Sequence, residues 1–242
     1  MNYMINYCII GDNWGLKIFS ILKDLNKKVF LFQTNEKLGS KKYFVDLKKF
    51  IFKKKISFIW IATPPLNRFE LLNFCINQNL NLIIEKPIIL KKEEFKILDN
   101  KLKIKKKYCF VHFEYLFLKK LKNISSKNIK KIDMHFHHLK VNQHKINPYL
   151  NNGTHLMSLK KKYFNKVKNI SYYVSEGNKN LRQINILKDK RIKIDFTNNK
   201  DKIIQRFIFY LEDIFLKKKI NEYNLKFGYD CTEKIKLILK RN

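Results

Sequence analysis

Short apolar runs alternate with amphipathic stretches over the first 113 residues. Residues 5–11 (INYCIIG) form an apolar run ending in glycine, and Ile18, Phe19, Ile21, Leu22 and Leu25 follow at the three- and four-residue spacing of a helix. A second apolar run at 29–33 precedes a helix at 44–54, a strand at 57–62 (SFIWIA), a helix at 66–78 and a strand at 81–84 (NLII). A helix at 91–101 and an extended segment at 107–113 complete the series. Continuously apolar strands separated by helices predict parallel βαβ units, hence an α/β, doubly wound sheet over residues 1–113.

After Phe113 the rhythm changes. A helix at 115–123 leads into 129–138, where Ile132, Met134, Phe136 and His138 fall on one face of a strand. Strands follow at 168–175, 182–188 and 191–196, the last two joined by a tight Lys-Asp-Lys turn, and helices at 200–218 and 230–241 close the chain. Residues 114–242 are therefore predicted to form a second, reduced α+β domain on a mostly antiparallel sheet, with helices on one face. Its open face, if apolar, must be buried somewhere, which predicts a homo-oligomer, specifically a dimer.

Composition changes this picture little. Of the 52 basic residues only five are arginine (68, 182, 191, 206 and 241), so 47 are lysine, and the net charge is +32. Lysine, Asn, Ile, Phe and Tyr are all spelled by A- and T-rich codons, so codon bias accounts for the excess. A nucleic-acid site favours arginine forks, so no nucleic-acid partner is expected. The field would still draw in anionic substrates, less so in salt. No signal peptide and no apolar run long enough for a membrane helix is read. Cys8, Cys75, Cys109 and Cys231 lack CxxC spacing and read as reduced, buried thiols of a cytoplasmic protein. His135, His137 and His138 raise a metal reading, but nothing completes a tetrahedral set, so no metal is expected.

The first strand-to-helix turn is Gly11-Asp12-Asn13-Trp14-Gly15. A dinucleotide requires such a tight turn so that helix N–H groups face its pyrophosphate, although GxxxG is less than a full GxGxxG. The second strand ends in Gln33-Thr34-Asn35-Glu36-Lys37, followed by Lys41 and Lys42. An acid directly at that position would hold the ribose 2′-hydroxyl. Its absence favours NADP over NAD, while the nearby Glu36 leaves both open.

The segment Ile61-Ala62-Thr63-Pro64-Pro65, a helix, then Leu82-Ile83-Ile84-Glu85-Lys86-Pro87 resembles the Gfo/Idh/MocA family, whose members include glucose–fructose oxidoreductase and inositol dehydrogenase-like enzymes. Arg68 stands where that family often has His, and Asn79 where a helix-ending glycine is usual. A second likeness lies at 147–159, where Gly153 and His155 match an Asp-x-Gly-x-His motif, but Asn151 and Ser158 replace aspartates. The resemblance implies an N-terminal Rossmann domain and an NAD(P)-dependent oxidoreductase. It would transfer a hydride to or from a sugar, cyclitol or nucleotide-sugar, with surface-glycan biosynthesis as the setting.

The resemblance also implies site roles. Lys86 would relay the proton and stabilise alkoxide, and His155 would act as acid/base or positioner. Asn151 and Tyr115 would join them at the substrate. Gly11 to Gly15, Thr34, Asn35, Ala62, Thr63, Pro64, Asn67, Arg68, Glu85 and Lys86 would line the cofactor. Bottom-up, a lysine beside an alcohol oxygen suits that chemistry. Asn151 cannot hold negative charge, and the stretch Val111-His112-Phe113-Glu114-Tyr115 lacks the arginine the family often carries there. These departures support an alternative, a catalytically impaired dinucleotide-binding or regulatory protein.

Overall fold

The computed structural model describes residues 5–124, 128–138, 147–176, 181–197 and 200–240. The expected helix end at 241 and the side chain of His138 lie outside the described residues. The chain divides into two compact units. One runs to His112 and takes in Ile208–Tyr229; the other is Phe113–Phe207 with the chain from Asp230 onward.

The first unit is built on five strands: β1 (Asn6–Ile10), β2 (Lys28–Leu31), β3 (Phe58–Ile61), β4 (Asn81–Glu85) and β5 (Cys109–His112). They pair in the order β2-β1-β3-β4-β5, all parallel. Between them run α1 (Asn13–Asp24), α2 (Lys41–Lys54), α3 (Phe69–Asn77) and α4 (Lys92–Ile104). Every residue of β1, β3, β4 and β5 is buried, as the continuously apolar runs require of strands covered on both faces. Local chemistry sets the helix ends. Ser40 Oγ accepts the Tyr43 N–H at 3.1 Å to start α2, and Lys55 closes it in the left-handed region at φ 49°. Asn79, past the end of α3, adopts φ 59°, the left-handed conformation for which Asn is the usual substitute for Gly.

The sequence division at residue 113 leaves out one feature of this unit. Residues 208–229, assigned by pattern to the second domain, belong with the parallel sheet. Tyr7 donates to Glu212 Oε1 at 2.8 Å, Lys27 pairs with Glu212 Oε2 at 2.7 Å, and Phe58 meets Phe215 edge-on at 4.9 Å. Along edge strand β5, Val111 N–H bonds to Tyr223 O at 2.8 Å, and Asn221 Nδ2 to Cys109 O at 2.7 Å. The returning chain thereby satisfies backbone groups that an open edge would leave unpaired.

The second unit holds a four-stranded sheet of β6 (Lys131–His138), β7 (Ile170–Glu176), β8 (Leu181–Leu187) and β9 (Arg191–Asp195) in the order β7-β6-β8-β9. Two pairings are antiparallel, but β6 and β7 run parallel. The reason is the connection between them: helix α6 (Pro148–Tyr163) is a crossover, and parallel neighbours need one. The helix expected at 115–123 is instead a 3-10 turn, Glu114–Phe117, and the single turn α5, Lys119–Lys122. Helices α7 (Lys200–Leu216) and α8 (Leu225–Leu239) close the chain.

One face of this sheet buries Ile132, Met134, Phe136, Ile184, Ile186, Ile194 and Phe196. The opposite face carries Asp133, His135, His137, Tyr173, Ser175, Gln183, Asn185 and Lys193. It is polar, so the apolar-face argument for a dimer fails. His135 stacks on Tyr173 at 4.6 Å, and His137 Nδ1 lies 2.5 Å from Ser175 Oγ. Among the described residues, no group of three or more His, Cys, Asp or Glu is placed to hold a metal ion. Among the described residues, no helix is long and apolar enough to cross a membrane. The four cysteines are free and buried, and burial pushes the Cys8 and Cys231 thiols up to about 12.

Candidate functional site

In the order β2-β1-β3, consecutive connections leave β1 in opposite directions, and a crevice opens at the carboxyl ends of β1 and β3. Gly11 ends β1 at φ 134°, and a Cβ there would lie 2.6 Å from the Ala62 carbonyl oxygen at the end of β3. Only glycine fits that approach. Helix α1 starts two residues later with no side-chain cap on its first N–H groups and no acid within its first turn. Such an end accepts phosphate oxygens. Asp12, at the N-cap, is exposed.

The crevice wall is held by buried polar contacts. Glu85 closes β4, and its Oε1 accepts from Trp60 Nε1 of β3 at 3.0 Å and lies 2.7 Å from His112 Nδ1 of β5. Trp14, in the turn, also hydrogen-bonds this carboxylate and stacks on His112 at 6.4 Å. Burial by itself raises the Glu85 carboxyl. The charge of His112 and the hydrogen bonds from His112, Trp60 and Trp14 outweigh it and hold the group below the usual carboxylate range. One carboxylate thus joins three strands to the β1–α1 turn.

Arg68 is equally buried. Its Nε donates to Pro64 O at 3.0 Å, and its two terminal nitrogens donate to the Thr63 and Glu85 carbonyls. Burial draws the guanidinium down to about 10 against the pull of Glu85, so it stays charged at neutral pH. Arg68 therefore fixes the ends of β3 and β4 through backbone carbonyls. Lys86, next in line, is half-buried, and the Lys86–Pro87 peptide is cis.

A nicotinamide dinucleotide fits these residues. Besides the uncapped α1 end, Thr63 Oγ1 is buried at the mouth of the crevice with no hydrogen-bond partner among the described residues, as a hydroxyl awaiting a ligand would be. A cavity of about 640 Å³ lies between the loop after β2 and the loop after β3, with Lys37, Leu38, Asn67 and Glu70 in its lining. Asn67 reaches it in the left-handed conformation, φ 58°. Thr34 and Asn35 lie on the loop after β2, where Thr34 Oγ1 accepts the Glu36 N–H at 3.2 Å. Glu36 pairs with Lys42 at 2.6 Å.

In the second unit, His155 and Asn151 stand one turn apart on α6, started by Asn147, whose Oδ1 accepts the Tyr149 N–H at 2.8 Å. His155 is 3% exposed. Tyr115, expected at the substrate, is buried at 1% against His155, Phe136 and Phe196. Burial raises its phenol, and Glu114 adds to the effect while Arg182 opposes it.

The first unit thus brings together Gly11, Trp14, Ala62, Thr63, Pro64, Arg68, Glu85 and Lys86, while Thr34 and Asn35 stand on the neighbouring loop. Three participants escaped sequence reading: Trp60 and His112 at Glu85, and Glu114, 3.5 Å from His155. A polar-tipped residue within an otherwise apolar strand was the available signal for the first two.

The family model described as oxidoreductase family, NAD-binding Rossmann fold (GFO_IDH_MocA) matches residues 13–113. A comparison with curated proteins returns no match. Among solved structures, the chain is similar to a UDP-N-acetylglucosamine 3-dehydrogenase from Acidithiobacillus ferrooxidans (TM-score 0.76, 11% identity, 97% of this chain and 96% of that chain). It is likewise similar to a dehydrogenase (MviM) from Clostridium difficile (0.76, 15%, 98% and 99%). A third is a myo-inositol dehydrogenase from Corynebacterium glutamicum (0.74, 11%, 98% and 96%). At these identities the likeness shows the fold. Residues 13–113, most of the parallel-sheet unit, thus match the NAD-binding Rossmann fold of the Gfo/Idh/MocA oxidoreductase family.

Proposed function

We propose that the protein is an NAD(P)-dependent oxidoreductase that transfers a hydride to or from a sugar, cyclitol or nucleotide-sugar. The observation carrying this reading is Lys86 at the carboxyl end of β4, tied through Glu85 to a phosphate-accepting turn. The structural relatives named for sugar-nucleotide and inositol substrates support the substrate class, and a step in surface-glycan biosynthesis is its natural setting.

A bound nicotinamide would supply the hydride acceptor or donor. The protein's residues do the rest. The turn Gly11 to Gly15 presents the start of α1 to the pyrophosphate, with Ala62, Thr63 and Pro64 forming the opposite wall. Thr34, Asn35 and Asn67 serve the adenosine half. Pairing with Lys42 offsets the charge of Glu36, which favours a 2′-phosphate and so NADP. Lys86 places an ammonium at the reacting oxygen, stabilises alkoxide and passes the proton on. His155 acts as acid/base, with Asn151 hydrogen-bonding substrate, in a protein working in the cytoplasm.

One observation favours a second reading, in which the fold binds dinucleotide without turnover. Asn151 cannot carry charge, and Tyr115 and His155 are both almost fully buried. Fluorescence titration with NADPH and NADH tests the shared part: saturable binding is expected, and no binding of either defeats both. Turnover over a panel of polyols and nucleotide-sugars then separates the enzyme from the binding protein.

A further inference from the structure

An imidazole that exchanges protons needs a fixed orientation and a defined tautomer, and a carboxylate on one ring nitrogen supplies both. Helix α6, which carries His155, contains no acidic residue at all. The acid comes from another element. Glu114, in the 3-10 turn that opens the second unit, places Oε1 3.5 Å from His155 Nε2. The two side chains are buried together, Glu114 at 5% and His155 at 3% exposure. The rings of Phe113, Tyr115 and Phe136 surround the imidazole at 6.2, 4.6 and 6.0 Å.

Stability alone does not account for this carboxylate. Glu114 Oε2 is buried and accepts no hydrogen bond from a described residue. A charged group left half-satisfied is costly to bury, and an apolar side chain would fill the same space without that cost. Among the described residues, other ionisable groups at the ring are Tyr115, from the same turn, and Arg182 of β8, whose charge reaches Tyr115. Tyr115 is neutral, since burial and Glu114 both raise it. Among the described residues, Glu114 is thus the carboxyl group facing the imidazole.

We propose that Glu114 is the positioning residue for His155, fixing the ring hydrogen on Nε2 and holding the imidazolium once it forms. The proton gained by the cationic ring then sits on Nδ1. This pairing does the work that a carboxylate at Asn151 would otherwise do, and it rests on the acid/base reading of His155.

The test is nitrogen NMR of histidine-labelled protein, with the His155 signals identified by His155→Gln. In the wild type, neutral His155 is expected to carry its hydrogen on Nε2. In Glu114→Gln its titration moves down by about one pH unit or more, because an opposite charge has been removed. Glu114→Asp retains part of the difference. In steady-state assays Glu114→Gln lowers kcat about tenfold or more with little change in KM, and the limb governed by His155 shifts to lower pH. Unchanged titration of His155 in Glu114→Gln overturns the proposal. If that variant does not fold, a wild-type His155 with its neutral hydrogen on Nδ1 overturns it as well. The cofactor titration of the broader reading involves neither residue, so the two ideas fail in different measurements.

Discussion

Trp60 and Glu85 lie on adjacent parallel strands, and the indole Nε1 donates to Glu85 Oε1 at 3.0 Å. Trp14 bonds the same carboxylate, and the chain contains only these two tryptophans. All intrinsic tryptophan emission therefore reports on Glu85. Because the folded Glu85 carboxyl is held below its ordinary value, its contribution to stability is present above about pH 4.3 and is lost as pH falls through the depressed value. Acid titration followed by tryptophan emission should show a transition below about pH 4.3. Glu85→Gln should remove that transition and lower neutral-pH stability by on the order of 3 kcal/mol, measured by urea unfolding. An unchanged acid transition in the variant would refute the assignment.

Lys86 separates binding from chemistry. Lys86→Met removes the ammonium but no group assigned to the pyrophosphate. Turnover should fall about 100-fold or more while NADPH affinity changes only a few-fold. An equal loss in both would make Lys86 a cofactor-binding residue only.

The Glu36–Lys42 pair bears on cofactor choice. Lys42 bonds Glu36 at 2.6 Å, and that bond raises the lysine, as does the charge of the carboxylate. Lys42→Ala leaves Glu36 free to accept from a ribose 2′-hydroxyl and to repel a 2′-phosphate. The ratio of NADPH to NADH dissociation constants should rise about threefold or more at low salt. No change in that ratio would separate the pair from cofactor selection.

Gly228 tests the packing of the returning segment on the parallel sheet. A Cβ there would lie 2.7 Å from Val111 Cγ2 and 2.9 Å from Ile88 Cγ1. Gly228→Ala should cost about 1–3 kcal/mol in urea unfolding. Full stability would show that these side chains yield without strain.

The apolar runs of β1, β3 and β4 and the Gly11 and Glu85-Lys86-Pro87 segments were legible because each is local. A buried parallel strand must be continuously apolar, and a strand-to-helix turn must spare its Cβ, whatever lies elsewhere in the chain. The parallel pairing of β6 with β7 was not legible, since it depends on where the α6 crossover returns the chain. Nor was the return of 208–229 to the first sheet, because amphipathicity shows that a helix has a buried face but not what covers it. The partners of Glu85 and His155 were hidden for a similar reason. Trp60 is 25 residues from Glu85, and Glu114 is 41 residues from His155, so only tertiary packing could bring those polar tips to one carboxylate or one imidazole. Sequence determined which groups had to be buried; the folded chain decided which of them satisfy one another.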